Sequence, residues 1–453
     1  MTTPKEYDVV VVGASVGGCT AAILYARQGL RVALVEKSRD VAHYKKVCTH
    51  YLQPLALGTL RKLGLVERIE AAGGRRNDLE AWTEWGWIRG GDPARVGHGY
   101  NIRRQTLDPI LRDLALGTPG VSFHEGAAVS DLTRDARGRI DGVVTEGAAG
   151  RVEFRAPLVV AADGRTSRVA KLAGSEARVD DNGRFTYYTY YRGVALSSGG
   201  NAQYWHLHPN LAYAFRNDDD TTLLGIFLPR GELRAFKADP MSHFRRFWEG
   251  VPDPPLIGDA APICELRGAT EMPNHWRPAS APGLAFVGDA AMSLDPIWGT
   301  GCSYAFASAD WLVEHTAPAF GAARDLHGSL DRGLARYRKI HRSRTRGHYM
   351  HIAGLSTVRD LYWAERLVFA AATRDAELAT RVLTYLGRTV GPLHLATPSA
   401  LCRTALVNLG ALFSGRKDRE ARSLSPKVEE SAHAHGRPGH VLSSAHIRMQ
   451  GSC

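Results

Sequence analysis

The chain has 453 residues, of which 44% are hydrophobic and 23% charged, and its 57 Lys and Arg against 46 Asp and Glu give a net charge of +11. That length predicts about two to four domains, and the composition excludes an intrinsically disordered chain, a collagen-like chain and a disulfide-stapled miniprotein. The six cysteines, at positions 19, 48, 264, 302, 402 and 453, form no CxxC pair and no zinc or iron–sulfur spacing. No metal is therefore expected, and a reducing, cytoplasmic setting is. The opening MTTPKEYDVV lacks the basic and apolar regions of a secretory leader, and no apolar run is long enough to predict a membrane-spanning helix.

The first predicted element is a buried parallel strand over the β-branched run Val9–Val12. Gly13-Ala14-Ser15-Val16-Gly17-Gly18 leads into a helix over Cys19–Gln28, stopped by Gly29, and a second strand, Leu30–Val35, ends at Glu36. Strand, glycine-rich turn, helix, strand and acid make a dinucleotide-binding βαβ unit. Residues 50–115 read as mostly helical, because Leu52, Leu55, Leu57, Leu60 and Leu63 recur near helical spacing and the pattern repeats from Arg104 to Ala115. Short strands return between Val121 and Val160, and a third buried run, Leu158–Ala162, ends in Asp163-Gly164.

From Phe185 to Leu228 aromatic and polar residues alternate in four runs, 185–191, 203–208, 211–216 and 222–228, which predicts an antiparallel sheet. Gly283–Asp289 is one more buried strand, returning to the first fold. Ser303–Phe413 reads as helical, and the Ser-, His-, Arg- and Gly-rich tail is expected not to pack. The predicted fold class is α/β. A discontinuous Rossmann-like domain over 5–180 and 280–315 carries an inserted antiparallel β-sheet substrate domain over 181–279. A helical C-terminal region over 316–413 and a disordered tail over 414–453 follow.

The turn must let backbone approach a pyrophosphate. Gly13 permits the tight turn, Gly18 permits close helix–strand packing, and the helix opened by Ser15 and Val16 offers amides and a positive dipole end. Ser15 stands where a second glycine is usual. Glu36, with Lys37 beside it, can accept hydrogen bonds from ribose hydroxyls and would repel a 2′-phosphate, which favours FAD or NAD over NADP at this site.

Three further segments accompany the turn: Arg104-Gln105-Thr106-Leu107-Asp108; Ala162-Asp163-Gly164-Arg165-Thr166-Ser167-Arg168; and Gly288-Asp289-Ala290-Ala291 followed by Asp295-Pro296-Ile297-Trp298-Gly299-Thr300-Gly301. Together the four resemble the single-component FAD-dependent monooxygenases of the para-hydroxybenzoate hydroxylase type. Their relatives include the flavin-dependent halogenases and the geranylgeranyl reductases. The resemblance spans roughly residues 5–315 and implies bound FAD with transient NADPH or NADH. It implies that Arg104 reaches the FAD phosphates, that Asp163 and Gly164 pack beside the pyrophosphate, and that Asp289, after Gly288, holds the ribityl chain. Backbone amides near Gly299, Thr300 and Gly301, after Pro296, would face the flavin and stabilise its reduced, negative form. The reaction so implied is reduction of FAD by NAD(P)H and transfer of one oxygen atom from a C4a-hydroperoxide to an aromatic or polyketide-like molecule, by hydroxylation or epoxidation.

The chain departs from the hydroxylase pattern at Met292, where His is usual, and at Ser303, where Asn is usual. Asp295-Pro296 is closer to the halogenase and epoxidase side, and Lys45-Lys46-Val47-Cys48 resembles the reductase branch. A flavin-dependent reductase of isoprenoid double bonds, or a halogenase-like enzyme with a diverged site, is therefore the alternative. A non-catalytic flavin-holding protein is a third reading. Trp85-Gly86-Trp87-Ile88 precedes the Asp-Gly segment and lacks the proline of a halogenase motif, so its tryptophans read as packing or a pocket wall. No second glycine-rich βαβ unit follows.

Tyr188, Tyr190, Trp205, Tyr213 and Trp298 are candidate walls for a flat or apolar substrate. His206 and His208 share a strand face but have no third ligand in view. Cys48 and Cys302 fall near the expected flavin region. The basic segment 332–346 is a solvated helix face or a docking surface for an acidic carrier protein presenting the substrate, or for an anionic membrane surface. No nucleic-acid motif is present.

Overall fold

Every residue of Val9–Val12 is β-branched, which suits an extended chain covered on both faces. In the computed structural model this run is the interior of a six-stranded sheet in the order 280–281, 284–286, 158–161, 9–12, 32–35, 121–124. Neighbours run parallel except 280–281 against 284–286. The structure describes residues 4–40, 42–148, 150–321 and 325–423. The helix Val16–Ala26 packs on this sheet and against the helices Arg104–Leu116 and Gly301–Thr316, while a separate four-stranded sheet meets strand 158–161 through strand 140–147. Residues 9–12, 158–161 and 284–286 thus come together from three distant parts of the chain.

The second large sheet has seven strands, in the order 267–269, 184–192, 221–229, 210–216, 202–207, 79–83, 86–88. Its last two strands correct the mostly helical reading of 50–115. The helices there are Leu57–Leu63, Val66–Ala71, the single turn Pro93–Val96 and Arg104–Leu116. Between them, aromatic and β-branched residues such as Trp82, Thr83, Trp87 and Ile88 favour extended chain. Strand 79–83 joins in parallel, with Leu79 opposite Ala202 and Trp82 opposite Trp205. Strands 51–52, 75–77 and 99–101 form a further small sheet. The seven-stranded sheet is therefore not confined to 181–279, where the inserted sheet is expected.

Period-two alternation sorts this sheet into two buried faces. One carries Tyr188, Tyr190, Tyr204 and Tyr213 against Ile297, Trp298 and the C-terminal helices. The other carries Phe185, Trp205 and Leu224 against Phe236, Phe244 and Trp248, from the helices Leu233–Ala238 and Pro240–Glu249. The C-terminal region is helical over 326–356, 363–372, 376–386 and 398–423. Its last helix runs past 414, where the tail is expected to begin, because Arg, Lys, Glu and Ala there are good helix formers. The remainder of that tail, 424–453, lies outside the described residues.

Candidate functional site

At the turn after strand 9–12, Gly13 has φ +102°, and a Cβ there would lie 2.5 Å from the carbonyl oxygen of Ala162. A Cβ on Gly18 would lie 1.7 Å from the carbonyl oxygen of Gly13. Only hydrogen fits at either place, so the helix start lies directly on the strand ends. Ser15 occupies the N-cap position without a capping bond, and the first turn, opened by the buried Val16, carries no acid. Its amides remain available to an anion. The Ser15 hydroxyl instead accepts a hydrogen bond from Nη2 of Arg104 at 2.8 Å. Glu36 is held by the amides of Ala14 (2.7 Å) and Ser38 (2.9 Å), with Lys37 exposed beside it.

Arg104 is buried at the start of its helix. Nε and Nη2 donate to the two carboxylate oxygens of Asp108, at 2.6 and 2.8 Å, and Nη1 donates to Cys302 Sγ at 3.4 Å. Arg112, further along the same stripe, donates to the carbonyls of Ala14 (3.3 Å) and His43 (2.7 Å). Sequence reasoning reached Arg104 but missed Asp108 and Arg112, although spacings of four and eight residues put all three on one helix face.

Asp163 accepts from the Val169 amide at 3.0 Å through Oδ2, while its Oδ1 is buried without a partner. Gly164 has φ +82° with open space before it, and Gly288 has φ +57°. Asp289 pairs with Lys45 Nζ at 2.8 Å, a second contact missed from sequence. Asp295 caps the short turn Pro296–Trp298 by accepting from the Ile297 amide at 3.0 Å. Gly299, φ +61°, ends that turn against the Tyr51 ring, and Thr300 leaves the helix Gly301–Thr316 without a side-chain cap. Two uncapped helix starts, a glycine cradle and an orphaned carboxylate oxygen form a donor and acceptor set that fits FAD. The amides would take its phosphates and Asp163 would take a hydroxyl.

Residues 48–53 join this layer to the aromatic sheet. Cys48 Sγ lies 3.8 Å from Cys302 Sγ and accepts from the His50 amide at 3.3 Å. The Cys302 hydrogen bond and His50 hold the Cys48 thiol well below its ordinary pKa. Nδ1 of His50 accepts from the Arg104 amide at 3.0 Å, so the ring carries its proton on Nε2 and donates to the Tyr190 hydroxyl. Gln53 donates through its backbone to Ser303 Oγ (2.8 Å) and through Nε2 to the carbonyls of Trp298 (2.7 Å) and Leu386 (3.0 Å). Sequence reasoning reached Cys48, and Arg104, Tyr190, Trp298 and Ser303 around it, but missed His50 and Gln53, which follow no periodic pattern.

On the sheet face, Tyr188, Tyr190, Tyr213 and Trp298 come together. Tyr188 donates to the Lys46 carbonyl at 2.5 Å. Trp205 does not join them. One residue out of phase, it points to the opposite face, and its Nε1 donates to the Pro252 carbonyl at 2.8 Å. Its neighbour Tyr204 takes the position instead and stacks on Trp298 at 4.5 Å. Trp87 donates to Asp253 at 2.7 Å at the sheet edge, and His208 pairs with Asp360 at 2.8 Å. Among the described residues no three His, Cys, Asp or Glu side chains converge as metal ligands, and no helix is long and apolar enough to cross a membrane.

A family described as FAD binding domain matches residues 6–225. The curated proteins similar to this chain include monooxygenases, halogenases and digeranylgeranylglycerophospholipid reductases. The flavoprotein is similar to 6-methylpretetramide 4-monooxygenase of Streptomyces rimosus, at 28% identity over 67% of this chain and 73% of that one. It is also similar to digeranylgeranylglycerophospholipid reductase 2 of Methanothermobacter thermautotrophicus, at 27% identity over 74% and 84%. In fold it matches the flavin-dependent brominase Bmp2 with a TM-score of 0.71, at 17% identity, over 91% of this chain and all of the other. That span takes in the C-terminal helices. The protein is thus an FAD-dependent enzyme.

Proposed function

We propose that this flavoprotein is an NAD(P)H-dependent monooxygenase acting on an aromatic or polyketide-like molecule held between the flavin and the seven-stranded sheet. The observation that carries this reading is the aromatic face itself. Tyr190, Tyr204, Tyr213 and Trp298 are buried on the side of the sheet that the 48–53 segment ties to Gly299. FAD, when bound, supplies the redox chemistry and the activation of oxygen. The chain supplies the position of the reactants and a dry enclosure.

Gly13, Ser15, Val16, Gly18, Glu36, Lys37, Arg104, Asp163, Gly164, Gly288, Asp289 and Pro296 hold the cofactor in this reading, and the amides at Gly299, Thr300 and Gly301 meet its ring. Tyr190 has a specific role. Burial keeps its hydroxyl protonated, and its oxygen accepts from His50. Its own proton is left to donate to a substrate oxygen.

The test is oxygen isotope labelling. The reduced holoenzyme is mixed with labelled dioxygen and a panel of phenols and polyketide aromatics, and products are read by mass spectrometry. One labelled oxygen per product is the expected result. A second reading, double-bond reduction of a prenyl chain, is favoured by the similarity to the lipid reductase and by Cys48 in the Lys-Lys-Val-Cys segment. Reduction of a geranylgeranyl substrate without oxygen uptake would replace the first reading with it.

A further inference from the structure

Arg388 is buried at the C-terminal edge of the aromatic face, 3% exposed, just after the helix Ala376–Leu386. Its φ is +63°, a conformation that side-chain-bearing residues seldom keep unless their surroundings enforce it. Nη1 meets Nδ1 of His348 at 3.0 Å. Burial and the neighbouring guanidinium press the pKa of that imidazole down to about 3, so it stays neutral and offers no countercharge. The guanidinium carbon lies 5.2 Å from the ring centre of Tyr385 and 5.9 Å from that of Trp298.

Nε and Nη2 of Arg388 have no partner, and none of the ion pairs among the described residues includes it. Three more buried donors around the same place are also unpartnered: Trp298 Nε1, Tyr204 OH and Tyr304 OH. Nε and Nη2 form one edge of the guanidinium fork, and that edge takes both oxygens of a carboxylate at once. In Arg104 the same edge does so with Asp108. A buried cation left without an anion is costly to the fold, so its retention points to a ligand that supplies the anion.

We propose that Arg388 is the carboxylate-binding residue of the substrate pocket, and that the natural substrate is a flat molecule bearing a carboxylate. This rests on the location of the pocket under the proposed function, but not on oxygen transfer. The test compares 2-naphthoate with its neutral amide on the FAD-loaded full chain, reading binding by flavin absorbance and by melting temperature. Wild type is expected to bind the carboxylate at least about tenfold more tightly than the amide. Arg388→Met is expected to lose that preference and to melt at a higher temperature without ligand.

Equal affinity of wild type for the two probes, or no binding of either, overturns the proposal. So does a preference retained in Arg388→Met. If that variant keeps the preference and shifts only the flavin midpoint potential, the anion served is the reduced flavin. Should Arg388→Met fail to fold, Arg388→Lys, which keeps the charge and loses the fork, is read in the same way. Loss of oxygen incorporation with carboxylate selectivity intact would refute the monooxygenase reading alone.

Discussion

At the dinucleotide turn, Nε and Nη2 of the buried Arg104 meet Asp108. On the aromatic face, the same two nitrogens of Arg388 meet nothing in the chain. The turn pairs its buried guanidinium internally. Ser15, Arg104 and Asp108 hold one another and the Ala14 amide holds Glu36, so a cofactor bound there, as proposed, would meet a frame already set. The aromatic face and its edge leave donors open on Arg388, Trp298 and Tyr204. A site for a cofactor shared across a superfamily can be preorganised by the chain alone. On the proposed assignment, a site for a particular substrate leaves its last partners to the substrate.

The sharpest way to break this comparison is to make the turn resemble the face. Arg104→Met strands Asp108 as a buried carboxylate and should cost about 3–5 kcal/mol of stability, measured by urea unfolding, with loss of bound flavin. A loss below about 1 kcal/mol would mean the pair is not the internal partner argued here. Gly18→Ala places a methyl where 1.7 Å is available. It should cost about 3 kcal/mol and lower FAD occupancy, read from flavin absorbance after gel filtration.

Asp295 sharpens the comparison through pH. Burial raises its carboxyl to about 6, so the fold favours the protonated form. The stability this gives is full below about pH 4 and is lost as pH rises through about 6. Wild type should therefore lose about 3 kcal/mol between about pH 3 and pH 7 that Asp295→Asn does not lose, checked by denaturant titrations across that range. Trp298→Phe should have the smallest effect on the fold, within about 1 kcal/mol, since it deletes an N–H that has no partner. Its effect should appear instead as weaker substrate binding, a rise in KM larger than any fall in kcat.

The same division explains what the sequence could tell. The turn was legible because glycines, a β-branched strand and an acid obey rules that need no tertiary context, and Gly13 and Gly18 sit where those rules put them. The aromatic strands at 184–229 were legible from alternation, but their phase was not, which is why Trp205 was chosen and Tyr204 missed. Arg388 carries no local signal. Its interest lies in what fails to stand opposite it, and that can be read only from packing. The strands at 79–88 were hidden by leucine spacing on either side of them.

The order of strands in the six-stranded sheet also sets a schedule for making this protein. Strand 158–161 has 9–12 on one side as soon as it leaves the ribosome, but its other neighbour, 284–286, comes only after the whole aromatic sheet has been synthesised. Until then a wholly apolar strand presents an open edge, the kind of surface that recruits other chains. The nascent chain should depend on chaperones during that interval, and its yield should respond more to the speed of translation through 162–283 than to the stability of the finished fold. A ribosome pause placed before 284–286 has cleared the exit tunnel and one placed after it has cleared, compared by the soluble fraction, would expose the difference.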